Sequence, residues 1–255
     1  MTTTTDLRAL PGIRHEEARD VAEEAYRRFV ELLATLDPGD WGRPTDCTAW
    51  TVRDLAGHML GAMRSAASLR EMVRQQREVR RRLQAHGGLA VDHLTALQVE
   101  LTSGLDREEL VAQARRLVSL AARGRTRIPG VLRRLVSFVA DAGHGPERWT
   151  LGYFNDVILT RDAWLHRIDL CRAVDRTPQL DAAHDGRIVV DVAAEWARRH
   201  GRPVELTLTG PAGGSFSAGS GGPALEIDAG GVLPRPLRTR RSGARVARHP
   251  GAVLI

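Results

Sequence analysis

The stretch Asn155–Val174 reads NDVILTRDAWLHRIDLCRAV. Wound as a helix, it puts Ile158, Asp162, Leu165, His166, Asp169 and Ala173 on one stripe, at i, i+4, i+7 and i+8 spacing. The apolar members turn that stripe towards a core, yet it also carries two carboxylates and an imidazole. Burying such groups without partners costs several kcal/mol, and an unpaired carboxylate costs more. A cation is one candidate for the missing partner. Asp162 and His166, four residues apart, have Cβ atoms roughly 5–6 Å from each other on adjacent turns, close enough for both to reach one ion.

Working outward, a third donor stands on an earlier helix. Thr51-Val52-Arg53-Asp54 has the hydroxyl and carboxylate of a capping box. It opens a long helix through Leu55, Met59, Ala62, Ala66 and Leu69 towards Gln84, stopped by Gly87-Gly88. His58 shares the inward stripe of Leu55, Ala62 and Leu69. Two histidines and one carboxylate with a position left open describe a catalytic zinc site or a non-haem iron triad. The competing reading is two satisfied core histidines and a chance Asp-x-x-x-His. The other histidines contribute less: His15, His86, His93 and His200 fall at helix ends or beside charges, and His144 sits in a glycine-rich break.

Helical spacing also covers His15 to about Leu36, Val91–Arg123 with a break at Gly104-Leu105-Asp106, about Pro129–Asp141, and Ala182–His200. After Gly201 the pattern changes. Val204-Glu205-Leu206-Thr207-Leu208 alternates as a strand does, and glycine pairs set off Ser215–Ala218 and Ala224–Ile227. The expected fold class is therefore mainly α, a helical bundle followed by a small α+β unit. The expected domains are residues 1–176, 177–228, and an atypical tail at 229–255. That tail has no acidic residue, six arginines and three prolines, and fits either disorder or a shifted reading frame.

Of the chain's 255 residues, hydrophobic types make up 42% and charged types 27%, the profile of a globular protein. No apolar run reaches the roughly 18 residues of a membrane span. Met1–Leu10 lacks the pattern of a signal peptide, and Cys47 and Cys171 are too few for a disulfide framework, so a cytoplasmic protein is expected. The net charge of +6 comes from arginine alone, with no lysine anywhere. GC-rich coding explains that bias, so nucleic acid is not expected as a partner. The arginines from Arg74 to Arg82 read as a solvated helix face, with an electrostatic grip on an anion as the rival.

The run from Trp41 to Met59, WGRPTDCTAWTVRDLAGHM, together with Thr160–Asp169, TRDAWLHRID, resembles the mycothiol-dependent maleylpyruvate isomerase family of the DinB-like metalloprotein superfamily. The likeness spans about Glu16–Asp228. It implies a DinB-like four-helix bundle followed by a small sterol-carrier-like α+β domain. It further implies His58, Asp162 and His166 as ligands of a divalent metal, zinc in the isomerase. Family members often carry Glu where this chain has Asp162. The family's substrate-binding arginine has no position that can be assigned after Asp228.

An open zinc position suits a thiol, because coordination lowers the thiol pKa. The resemblance names mycothiol as that thiol. The expected activity is a thiol-dependent cis–trans isomerisation or an S-transfer to a small-molecule electrophile, by a monomer or homodimer. The alternative is a non-catalytic metal- and thiol-binding module. Asp54 and Asp169 are candidates to orient the ligand imidazoles, though Asp54 also reads as a helix cap. Trp50, Trp164 and Cys47 are candidate pocket walls, each with ordinary core packing as its other reading.

Overall fold

The computed structural model describes residues 5–141 and 145–231. Four helices enclose the main core: α1 (His15–Leu33), α2 (Val52–Ala67), α5 (Arg107–Thr126) and α8 (Leu159–Ala173). Between α2 and α5 lie α3 (Leu69–His86) and α4 (Ala90–Glu100). Phe29 and Leu33 of α1, Leu55, Met59 and Met63 of α2, Leu110 and Ala114 of α5, and Ala163 and Leu170 of α8 are buried together. The stripes read from the sequence are met in part: Leu55 and Met59 are buried here with Ala66 and Ala173 packed beside them, but Leu69 is exposed, Leu165 packs against a second core, and Met63, Ala163 and Leu170 fill this core instead.

The helix expected to run unbroken from Thr51 to Gln84 is two helices. Ser68 is extended (φ −132°, ψ 116°), and its hydroxyl accepts from the Glu71 amide at 3.4 Å. Gly124 of α5 presses directly on the Ala66 carbonyl, so the neighbouring backbone occupies the space beside the end of α2. The break expected near Gly104–Asp106 is present, and Asp106 caps α5 with Glu109 completing a capping box.

The helix expected over Pro129–Asp141 is also corrected. Only α6 (Gly130–Leu135) is helical, and β2 (Ser137–Asp141) pairs antiparallel with β3 (Pro146–Thr150). Phe138 faces Trp149 across that pair, and aromatic cross-strand pairs favour the extended state over the helix. Directly after β3 come the short turn α7 (Leu151–Tyr153) and a π-helical segment, Phe154–Ile158, which runs on into α8. The Asn155 carbonyl, which the π turn releases, accepts from Nε of buried Arg125 at 2.9 Å.

A second core lies on the opposite side of α8. There Trp164 and Ile168 meet α9 (Asp185–His200) and a four-stranded sheet in the order β1 (Thr5–Asp6), β5 (Gly214–Ala218), β4 (Val204–Thr209), β6 (Ala224–Asp228). Strands β4 and β5 are antiparallel, while β6 on β4 and β1 on β5 are parallel. Val204, Leu206 and Leu208 point inward in the predicted alternation. Strand β1, Leu7 and Ile13, which the sequence division places with the bundle, pack in this second core. The atypical tail beyond Gly231 and His144 lie outside the described residues. Among the described residues no helix is long and apolar enough to cross a membrane.

Candidate metal centre

Helix α2 starts from the predicted cap. The Thr51 amide donates to Asp54 Oδ2 at 2.9 Å and the Thr51 hydroxyl to the same oxygen at 2.7 Å. Asp54 is thus spent on the helix start and does not orient His58. One turn on, His58 is buried between Gly57 and Met59 and faces α8. On α8, Asp162 and His166 stand one turn apart as their spacing requires.

The three side chains converge. His58 Nε2 is 4.0 Å from Asp162 Oδ2, and His166 Nε2 is 3.4 Å from Asp162 Oδ1. The ring centroids of the two histidines are 5.2 Å apart at 83°. One donor atom from each residue fits within 4.8 Å of the other two. Donors bound at about 2.1 Å to one tetrahedral ion stand about 3.4 Å from each other, so the donor set fits a divalent cation after small side-chain adjustments.

The far sides of both rings support the same fit. His58 Nδ1 is 2.8 Å from Gln98 Oε1. His166 Nδ1 is buried with no hydrogen-bond partner and has Asp169 Oδ2 at 3.6 Å, so Asp169 does stand behind the ring. Each imidazole has an acceptor behind it and its Nε2 turned towards Asp162, the arrangement that orients histidine metal ligands.

Trp50 closes one side, its ring centroid 5.0 Å from that of His58 and 6.3 Å from that of His166. Cys47 is a second wall, buried, with its sulfur grouped with His166 and Asp169 within 4.8 Å. Trp164 is not a wall. Its indole donates to Asp185 Oδ1 at 2.7 Å inside the second core, where the competing core reading applies. The arginine run on α3 is largely paired within the chain: Arg74 with Glu71, Arg81 with Glu78, and Arg82 with Glu78 and Glu100. A groove of about 950 Å³ between α3 and α4 is bordered by none of the three donors.

The charges of the site call for a cation. Burial opposes ionisation of Asp162, but His166, bonded to it, and His58 outweigh that cost and hold its carboxyl at about 2. Burial likewise opposes the charged form of His166, but Asp162 and Asp169 overturn it and raise the imidazole to about 10. In the metal-free protein the proton fills the cation's role. A raised folded pKa stabilises fully below the ordinary imidazole value of 6.5 and loses that contribution as pH climbs through about 10. The lowered Asp162 value works in the opposite direction, stabilising above 3.8 and failing as pH drops through about 2. The thermal midpoint of metal-free protein is therefore expected to fall between pH 6.5 and 10, and Asp162→Asn should flatten that decline. Calorimetry across the range checks it, and an unchanged slope in the variant would contradict the pairing.

Gln98 and Gln75, both buried, were not singled out by the sequence. The usable sign was the Gly57–Gly61 spacing. A Cβ on Gly61 would lie 2.6 Å from Gln98 Cβ and 3.0 Å from its Cα, so these glycines let α4 approach α2. Gly61→Ala should cost about 1–3 kcal/mol by overpacking, less up to about 1 kcal/mol of helix propensity, read as a lower thermal midpoint.

The profile of the mycothiol maleylpyruvate isomerase N-terminal domain matches residues 22–171, more than half of the chain. No curated protein sequence matches. Among solved structures, the chain is similar to the mycothiol-dependent maleylpyruvate isomerase and to a histidine-to-alanine mutant of it. In both cases the TM-score is 0.51 at 14% identity, over 90% of each chain. That likeness extends across both cores and agrees with a mainly helical fold carrying a small sheet. Bundle, paired motifs and matched span lead to one assignment: the chain belongs to the mycothiol maleylpyruvate isomerase N-terminal domain family.

Proposed function

We propose that this protein is a metal-dependent enzyme, with zinc as the metal, that uses mycothiol as thiol cosubstrate to isomerise or substitute a small electrophile. The observation that carries the proposal is the convergence of His58, Asp162 and His166 from two helices on one point. Two neutral imidazoles and a carboxylate suit zinc, and three protein donors leave a fourth position open. A divalent cation held there lowers the pKa of a coordinating thiol, so that thiolate is present at neutral pH.

The chain's own residues define the rest. Burial and the carboxylates of Asp169, Asp162 and Asp46 push the Cys47 thiol up to about 12, so Cys47 supplies no thiolate at neutral pH. Burial raises the Cys171 thiol as well. The nucleophile therefore comes from outside, and the family points to mycothiol. Trp50 shields the two imidazoles, while Asp169 and Gln98 steady the rings. In an isomerisation the thiolate adds to an activated cis double bond, the new single bond rotates, and expulsion of the thiolate yields the trans acid with the thiol regenerated. In a transfer the thiolate displaces a leaving group and remains in the product.

Elemental analysis of purified protein should find about one zinc per chain. Maleylpyruvate and an alkylating electrophile, each assayed with and without mycothiol, then separate isomerisation from transfer by whether the thiol is consumed. Metal and thiol binding without turnover of any electrophile would leave only a binding module.

A further inference from the structure

A chain of buried side-chain amides runs from His58 away from the donor cluster. Gln98 Oε1 lies 2.8 Å from His58 Nδ1, and Gln98 Nε2 donates to Gln75 Oε1 at 3.0 Å. Gln75 Nε2 in turn donates to the Gly61 carbonyl at 3.1 Å and to Glu71 Oε1 at 2.9 Å. The two ends of this chain differ in kind. A peptide carbonyl only accepts, and the Glu71 carboxyl is held below its usual range by Arg74 despite some burial, so it too is an acceptor.

The direction of every bond follows from that end. Both hydrogens of the Gln75 amide are committed to Gly61 and Glu71, which leaves Gln75 Oε1 as an acceptor. Gln98 must then turn its NH₂ to Gln75 and its oxygen to His58. An oxygen facing His58 Nδ1 requires a hydrogen on that nitrogen. A neutral imidazole with Nδ1 protonated has its lone pair on Nε2, the nitrogen that faces Asp162.

We infer that Gln98 and Gln75 are positioning residues that select the Nδ1–H tautomer of His58 and so present its Nε2 lone pair to the metal centre. The inference rests on the metal reading proposed above, and it assigns a task to α3 and α4, which contribute none of the three donors. It also accounts for two buried glutamines where α3 and α4 meet α2. Gln75 reversed would set NH₂ against NH₂ and its carbonyl against the Glu71 carboxylate, and Gln98 reversed would set carbonyl against carbonyl, in a buried place where unmet polar groups are costly.

The test reads the tautomer and the metal separately. Long-range ¹H–¹⁵N spectra of full-length protein, with His58 assigned by its loss in His58→Gln, should show neutral His58 protonated at Nδ1 along a pH series, with or without zinc. Gln98→Leu should lose that preference and weaken zinc about 10–100-fold in a chelator competition, the usual range for a residue behind a ligand. Gln98→Glu keeps an acceptor towards His58 and should therefore retain the Nδ1–H tautomer, although it can no longer donate to Gln75 Oε1. Gln75→Leu, which leaves His58's neighbour in place but frees its amide to turn, should give mixed tautomers and intermediate zinc affinity. An Nε2–H tautomer in the parent protein overturns the inference, as does unchanged zinc affinity in a folded Gln98→Leu. A parent protein that takes up no zinc defeats the proposed function instead, while the metal-free spectrum still decides the tautomer.

Discussion

His58→Ala is expected to leave the protein folded and without metal, at well under a tenth of the parent's zinc per chain. The argument is geometric. Asp162 and His166 alone are a two-donor site on one helix, and His58 is the only one of the three that ties the ion to α2. A structural or catalytic zinc site needs at least three protein donors, so removing one takes affinity below what purification retains. Activation of a thiol by a cation is worth several kcal/mol, so mycothiol-dependent turnover should fall about a thousandfold or more. The main core holds its shape because the surrounding Leu55, Met59 and Met63 remain packed. Circular dichroism should be unchanged. Asp54→Asn is the matched control: it weakens a helix cap by about 1 kcal/mol and should leave metal and turnover alone. Retention of one zinc and full turnover in His58→Ala would remove the proposed centre.

What the sequence revealed of this site depended on how far apart the cooperating residues stand. Asp162 and His166 share a helix, so their spacing alone predicts that they meet. His58 is marked by its place beside Leu55 and Met59 on α2, although nothing local says which helix it faces. Gln98 and Gln75 carry no such local sign, because a buried amide on a helix looks like any surface glutamine until the partner helix is in place. The close approach of α4 to Gly57 and Gly61 is a tertiary fact. Trp164 is the converse case: it flanks His166 in sequence, but its indole hydrogen is claimed by Asp185 across 21 residues, which turns the ring to the second core. The fold class was legible for the same reason as Asp162 and His166, since periodicity is local. The β2–β3 hairpin was not, because six or so apolar residues read equally well as helix until Trp149 supplies the opposite strand.

The second core should depend on one buried carboxylate. Arg161 sits on α8 immediately before Asp162, its guanidinium on the side away from the metal centre and almost fully buried. Arg161 Nε donates to Asp191 Oδ2 at 2.7 Å, and Nη2 reaches Glu195 at 2.8 Å. The other oxygen of Asp191 accepts from the Ile13 amide at 2.8 Å, which fastens the N-terminal segment to α9. Asp191→Ala therefore removes a charge partner and an amide acceptor together. Breaking a buried pair from one side costs about 3–5 kcal/mol, and the remaining Glu195 places this case near 3 kcal/mol. For a chain of this length that corresponds to a fall in thermal midpoint of roughly 6–12 °C. Arg161→Met with Asp191→Leu removes both charges and should recover most of the loss, because Glu195 keeps its pair with Arg199 and no buried ion is stranded. If the single variant melts with the parent, the ion pair is not what seats α9 on α8. If the double variant melts as low as the single one, the Ile13 amide rather than the charge carries the effect.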